Sequence, residues 1–189
     1  MRIVGGRLKG RTLVAPQHGG TRPTSDRVRE SVFNILTHGI EGPPLEGARV
    51  IDLFAGTGAL GVEALSRGAS YALFVEDNAD ARGLIRRNIE AFGLQGITRI
   101  FRRDATRLGP AATRDSYAYA FLDPPYDKKL GEAALTALHE GGWLSPGAII
   151  VLEERAGVTV DLPSAFELID ERTYGDTTVH FARLISETA

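Results

Sequence analysis

The chain of 189 residues contains no cysteine, which excludes disulfides and thiolate zinc sites. Its four histidines, His18, His38, His139 and His180, are widely scattered. No pair has the spacing of helical metal ligands, so no metal is expected. No run of 18 apolar residues occurs, so no membrane-spanning helix is expected. The opening Met1-Arg2-Ile3-Val4-Gly5-Gly6-Arg7 lacks the apolar stretch of a signal peptide. Neither an internal repeat nor a low-complexity tract is visible. These absences leave a reducing cytoplasm as the expected compartment. The length fits one domain with a full core and a small appendage.

What is present begins with Asp123-Pro124-Pro125-Tyr126, which closes the apolar run Tyr119-Ala120-Phe121-Leu122. The run reads as a buried parallel strand, so the tetrapeptide sits at its carboxyl end. In open α/β sheets ligands bind at that edge. Two prolines remove two backbone donors, and each residue before a proline is held extended. The corner presents a carboxylate, the Pro124 carbonyl and an aromatic ring. It can accept both protons of an exocyclic amino group while Tyr126 stacks on the base that carries it. The plain structural alternative is a strand-ending turn with a capping Asp.

Upstream, Asp52-Leu53-Phe54-Ala55-Gly56-Thr57-Gly58-Ala59-Leu60-Gly61 follows a strand at 49–53 and opens a helix. Gly56, Gly58 and Gly61 satisfy the dinucleotide fingerprint, and Glu76 ends the next strand about 20 residues on. A nicotinamide enzyme is therefore one reading. Charge opposes it. A dinucleotide brings a pyrophosphate to the glycine turn, where Asp52 would repel it. S-adenosylmethionine brings an ammonium and a sulfonium instead, which suit Asp52 directly or through water. Glu76 can accept ribose hydroxyls in either reading.

The net charge of −2 hides an asymmetry. Residues 1–30 carry Arg2, Arg7, Lys9, Arg11, Arg22, Arg27 and Arg29 against Asp26 and Glu30, a net of +5, which leaves −7 for the rest. Such a split points to a polyanion-binding arm on an acidic body. Ile3, Val4, Leu8, Leu13 and Val14, spaced among Gly5, Gly6 and Gly10, predict a short hairpin from which Arg7, Lys9 and Arg11 project. A second basic group, Arg99, Arg102, Arg103 and Arg107, flanks a later strand.

Periodicity predicts a helix opened by Pro23 and Thr24, then a Gly- and Pro-rich linker at 39–47. After it come strand 49–53, helix 58–67, strand 70–76 and helix 78–92, capped by Asn78 and ended by Gly93. Strand 97–102, strand 117–122, helix 128–140 and strand 147–153 follow. Strands near 165–173 and 177–185 are joined by Gly175-Asp176, a hairpin signal. The expected fold is α/β, with a mostly parallel seven-stranded sheet and an antiparallel C-terminal hairpin. The expected division is a basic hairpin-helix appendage over 1–40 and a main domain over 41–189.

Asp52 to Gly61, Glu76, Arg103-Asp104-Ala105 and Asp123 to Tyr126 resemble successive motifs of class I, Rossmann-like, S-adenosylmethionine-dependent methyltransferases. Arg2 to Arg11 and Arg22-Pro23-Thr24-Ser25-Asp26-Arg27-Val28-Arg29-Glu30, together with Tyr174-Gly175-Asp176-Thr177, resemble the RsmD family. That family methylates the N2 amino group of one guanine in 16S ribosomal RNA. The resemblance implies that Gly56 and Gly58 lie under the methionine and ribose of the cofactor, with Asp52 near its amino group. It implies that Glu76 holds the ribose hydroxyls and that Asp104 meets the adenine amino group. Asp123, Pro124 and Tyr126 would form the target-base site. Arg22 and Thr24 would line its approach, touching cofactor or RNA. The implied partner is 16S ribosomal RNA, naked or within an assembling small subunit, with a monomer favoured. An adenine-N6 DNA methyltransferase and a non-catalytic RNA-binding module remain the alternatives.

Overall fold

Five strands form around apolar residues, most of them in strands buried on both faces. They are β1 (Arg49–Leu53), β2 (Tyr71–Val75), β3 (Thr98–Phe101), β4 (Tyr117–Leu122) and β5 (Leu144–Arg155). In the computed structural model, which describes residues 1–17 and 25–185, these five pair in parallel. Two more strands, β6 (Phe166–Tyr174) and β7 (Thr177–Leu184), form the hairpin. Gly175 takes φ 59° in its turn, a conformation open to glycine at little cost. β7 lies antiparallel between β5 and β6, and the sheet order is β3-β2-β1-β4-β5-β7-β6. This is the expected mostly parallel seven-stranded sheet with an antiparallel hairpin. The fifth strand is longer than predicted. Leu144 already pairs with Tyr117, and antiparallel pairing to β7 carries the strand on to Arg155 opposite Thr177.

Helices cover both faces. α1 (Asp26–Asn34), α2 (Ala59–Ser66) and α3 (Ala79–Ala91) lie on one, and α4 (Leu130–Glu140) on the other. Phe33 of α1, Val62 of α2 and Ile85 of α3 share a layer with Val50, Phe74, Phe121 and Phe181 of the sheet. Ala134, Leu135 and Leu138 of α4 meet Leu53, Leu122, Leu152 and Trp143 on the reverse face. Burying each large apolar side chain contributes about 1.5–3 kcal/mol. Asn78 caps α3 by accepting from Ala81 N–H at 2.9 Å. α1 is capped by Ser25, whose hydroxyl accepts from Val28 N–H at 3.2 Å. The expected opening at Pro23 and Thr24 lies outside the described residues. A π-helical turn, Ile35–Gly39, extends α1.

The N-terminal segment folds as the hairpin that its glycines predict, with Arg2 bridged to Thr12. Ile3, Leu8 and Leu13 point into the same apolar layer as α1 to α3. Glu63, in the middle of α2, fastens this segment. Its two carboxylate oxygens accept from Val4 and Gly5 N–H at 2.9 Å each. They also pair with Arg29 Nε at 3.2 Å and Arg67 Nε at 2.9 Å. One turn on, Ser66 Oγ accepts from Leu8 N–H at 3.0 Å, and the Ser66 carbonyl accepts from Arg7 N–H at 2.9 Å. The approach is so close that a Cβ on Gly6 would stand 1.9 Å from the Ser66 carbonyl oxygen.

Candidate active site

β1 is flanked by β2 on one side and β4 on the other, so the chain order reverses beside it. Loops leaving the carboxyl ends of such strands enclose a crevice. The glycine turn after β1 is built from left-handed residues: Phe54 at φ 55°, Gly56 at 59° and Gly58 at 80°. Gly58 caps α2 and has a second constraint, since a Cβ there would stand 3.1 Å from the Phe74 ring. At Gly61 a Cβ would stand 2.4 Å from the same ring. The third glycine therefore lets α2 lie directly on β2.

Two carboxylates hold this turn. Glu76 Oε1 accepts from Gly56 N–H at 2.9 Å, and Oε2 accepts from Asn78 N–H at 3.0 Å. Glu76 keeps partial exposure at the rim. Asp52 lies beneath, 1% exposed, and its Oδ2 accepts from Gly61 N–H at 3.0 Å. The carboxyl argued from sequence is thus present, but it faces the start of α2 rather than open solvent. Burial raises the Asp52 pKa well above the usual carboxylate range; Gly61 N–H opposes the rise, and nearby Glu76 and Glu153 add to it.

A raised folded-state value has a definite sign. The folded protein holds the Asp52 proton more tightly than the unfolded chain does. This contribution to stability is full below the ordinary carboxylate range and is lost as pH rises through the folded value. Asp52→Asn keeps an acceptor for Gly61 but does not titrate. The variant should gain melting temperature over wild type as pH rises, with the difference shrinking in acid. Melting curves across pH check this, and a pH-independent difference counts against it.

Beyond β3, Asp104 is exposed and accepts from Thr106 N–H at 2.8 Å and Thr106 Oγ1–H at 2.7 Å. These bonds hold its carboxyl below the usual range. Asp104 therefore serves as the turn cap that its sequence setting allows, and it stands at the same edge as Glu76. The ends of β2 and β3 are joined there by Glu76 N–H to the Phe101 carbonyl at 3.1 Å.

After β4 comes the proline corner. Asp123 and Tyr126 are half-buried, Pro124 is buried and Pro125 is exposed. Register sets Leu53 beside Leu122, so the corner and the glycine turn leave adjacent strands at one level. The Tyr126 hydroxyl lies 2.9 Å from Thr177 Oγ1, which fixes the ring against β7. The loop continues through Asp127 at φ 63° and Lys129 at φ 54°. Non-glycine residues held in this region carry strain that clusters at functional sites. Strand alternation puts Asp52, Asp123 and Glu153 on the sheet face that carries Val50, Phe121 and Val151. Glu153 was not singled out in the sequence. Its signal is the same as that of Asp123, a carboxylate ending an apolar strand.

The arm residues divide. Arg7 and Lys9 are exposed. The Arg11 guanidinium donates to the Ala91 carbonyl at 3.1 Å and stacks 5.1 Å from the Phe92 ring centroid. Arg29, counted with the arm's positive charge, is fully buried against Glu63 and Asp26. It is a structural cation. Arg103 likewise packs over Phe101 and donates to the Leu108 carbonyl. Arg22 and Thr24 lie outside the described residues. Among the described residues no His, Asp and Glu cluster could hold a metal, and no helix is long and apolar enough to cross a membrane.

The chain is similar to known proteins over nearly its whole length. The family model described as conserved hypothetical protein 95 matches residues 1–183. YlbH of Bacillus subtilis (strain 168) is 40% identical over 184 residues, covering 95% of this chain and 96% of that protein. Ribosomal RNA small subunit methyltransferase D of Escherichia coli (strain K12) is 39% identical over 154 residues, covering 81% of this chain and 74% of that one. A solved Escherichia coli structure superposes with a TM-score of 0.82 at 30% identity over 98% of both chains. With its sheet order, glycine turn and arm, the chain belongs to the RsmD family of class I methyltransferases.

Proposed function

We propose that this protein transfers a methyl group from S-adenosylmethionine to the N2 amino group of a guanine in 16S ribosomal RNA, in the cytoplasm. The observation that carries the reading is the pairing of two loops at one level of the sheet edge. The glycine turn bonded to Glu76 is one, and the Asp123 corner is the other. The residues present fit the cofactor. Gly56 and Gly58 keep the turn free of side chains, Glu76 offers carboxylate oxygens at the rim, and Asp52 supplies a buried carboxyl below, whose charged form a cationic ligand would favour. When bound, S-adenosylmethionine supplies an electrophilic methyl group on a sulfonium. Asp104 would accept from the adenine amino group.

The chain's own residues then do three things. Asp123 and the Pro124 carbonyl accept the two amino protons, which favours a pyramidal nitrogen and aims its lone pair. The guanine amine is a weak nucleophile because that lone pair is delocalised, so orientation is the main requirement. Negative charge at Asp123 also stabilises the positive charge that develops on nitrogen. Tyr126, held by Thr177, stacks on a base that has left its helix, a contact worth about 1–3 kcal/mol. Arg7 and Lys9 are exposed and would meet phosphates; Arg22 and Thr24, outside the described residues, are proposed to touch cofactor or RNA.

The test uses labelled S-adenosylmethionine with 16S ribosomal RNA, small-subunit particles and DNA in separate reactions, followed by nucleoside analysis. The expected product is N2-methylguanosine from the RNA or the particle. Label found as N6-methyladenosine in DNA, or in no nucleic acid, overturns the proposal.

A further inference from the structure

Asn88 lies on α3 with 0% of its surface exposed. Its Oδ1 accepts from Val14 N–H at 2.7 Å. Its Nδ2 donates to the Val14 carbonyl at 3.3 Å and to the Thr57 carbonyl at 2.9 Å. Val14 belongs to the N-terminal arm, and Thr57 sits between Gly56 and Gly58 of the glycine turn. One carboxamide thus engages both backbone groups of the arm, as a neighbouring strand would, and gives its remaining N–H to the turn. The same two segments meet again where Thr57 Oγ1 lies 3.8 Å from Met1 Sδ. Arg11 ties the arm to the end of the same helix through the Ala91 carbonyl.

Burial makes this arrangement stiff. Hydrogen bonds are stronger in a low dielectric, and an unpaired amide there is costly. If the arm moves, Asn88 loses its two bonds to Val14 and with them the orientation that serves Thr57. If the turn moves, the same side chain is released from the other end. The arm and the turn therefore share one favoured placement.

We infer that Asn88 is a positioning residue that makes methyl-donor binding and RNA binding mutually reinforcing. The inference rests on the function proposed above. RNA held at Arg7 and Lys9 fixes Val14, and through Asn88 it fixes the Thr57 carbonyl before the donor arrives. A donor on the glycine turn does the same for the arm. Linkage makes the two effects equal. Asn88 touches neither ligand.

The test is the affinity of S-adenosylhomocysteine, by calorimetry, with and without whichever unmodified substrate accepts methyl groups in the assay above, 16S ribosomal RNA or the small-subunit particle. Wild type should bind at least about 5-fold more tightly with RNA, the lower end of usual coupling. Asn88→Ala should bring that ratio close to one. A general loss of stability would weaken both affinities and leave the ratio in place. Val14→Pro is the second variant. It removes the N–H that Asn88 accepts from while α3 and the turn keep their sequence, and it should lower the ratio as well. Ratios equal to wild type in the variants that fold overturn the inference. A wild-type ratio of one, with methyl groups still entering the RNA, overturns it and leaves the proposed function standing. A protein that neither binds S-adenosylhomocysteine nor methylates RNA overturns both.

Discussion

Asp123→Ala should lower single-turnover methyl transfer by about 10²–10³-fold, the scale of losing one positioned polar group at a reacting centre. The side chain is half-buried at the end of β4, so its removal opens no core cavity. The glycine turn, Glu76 and Asp52 keep their bonds to one another and to α2. S-adenosylhomocysteine affinity and melting temperature should therefore stay near wild type. Asp123→Asn keeps one acceptor and should fall between the two. The measurement is a single-turnover assay at saturating donor. Transfer by Asp123→Ala at the wild-type rate would make the corner structural and would remove Asp123 from the chemistry.

Glu63→Ala should cost about 3–5 kcal/mol of unfolding free energy, because it removes the buried carboxylate of a buried ion pair and leaves Arg29 to its exposed partner Asp26 and its other contacts. Arg29 and Glu63 both have fully buried side chains, 3.2 Å apart. The change also deprives Val4 and Gly5 N–H of their acceptor. Arg67, 16% exposed, can turn to solvent and loses less. Glu63→Gln keeps an acceptor and should cost clearly less than the alanine variant. Urea unfolding measures both. A cost below about 1 kcal/mol for Glu63→Ala, the range of an exposed pair, would show that Arg29 finds water when Glu63 is gone.

Much of the molecule was legible in the sequence where chemistry is local. Apolar runs fixed four of the five parallel strands to within one residue, because a strand in the interior of a sheet has few other sequences open to it. The Asp123 corner was legible because two prolines leave the backbone little choice. What was not legible lies in pairings between distant residues. Glu63 was not singled out in the sequence, yet every residue of Ala59–Ser66 is buried, and two of its partners come from 34 and 59 positions away. Its signal was present in principle, a lone charge within Ala59-Leu60-Gly61-Val62-Glu63-Ala64-Leu65. Arg29 was summed into the basic arm because counting charge carries no information about burial. Asn88 interrupts the apolar stripe between Ile85 and Ile89, and its backbone partner Val14 lies 74 residues away. Asp52 was placed correctly at the turn, but its direction depends on α2 lying close enough for Gly61 to reach it.

The placement of β7 has a consequence for synthesis. The wall that steadies Tyr126 is Thr177, 51 residues later in the chain. β7 must also enter between β5 and β6 before either is fully paired. At about 5–20 residues per second, roughly 3–10 s separate the emergence of the corner from that of its support. The glycine turn, Glu76 and the docked hairpin depend on residues translated well before. On the function proposed above, the residues of the donor-binding turn are therefore all translated before the support of the base-holding corner. If Tyr126 stacks on the target base as proposed, a partly made chain lacks the Thr177 hydroxyl that steadies the ring.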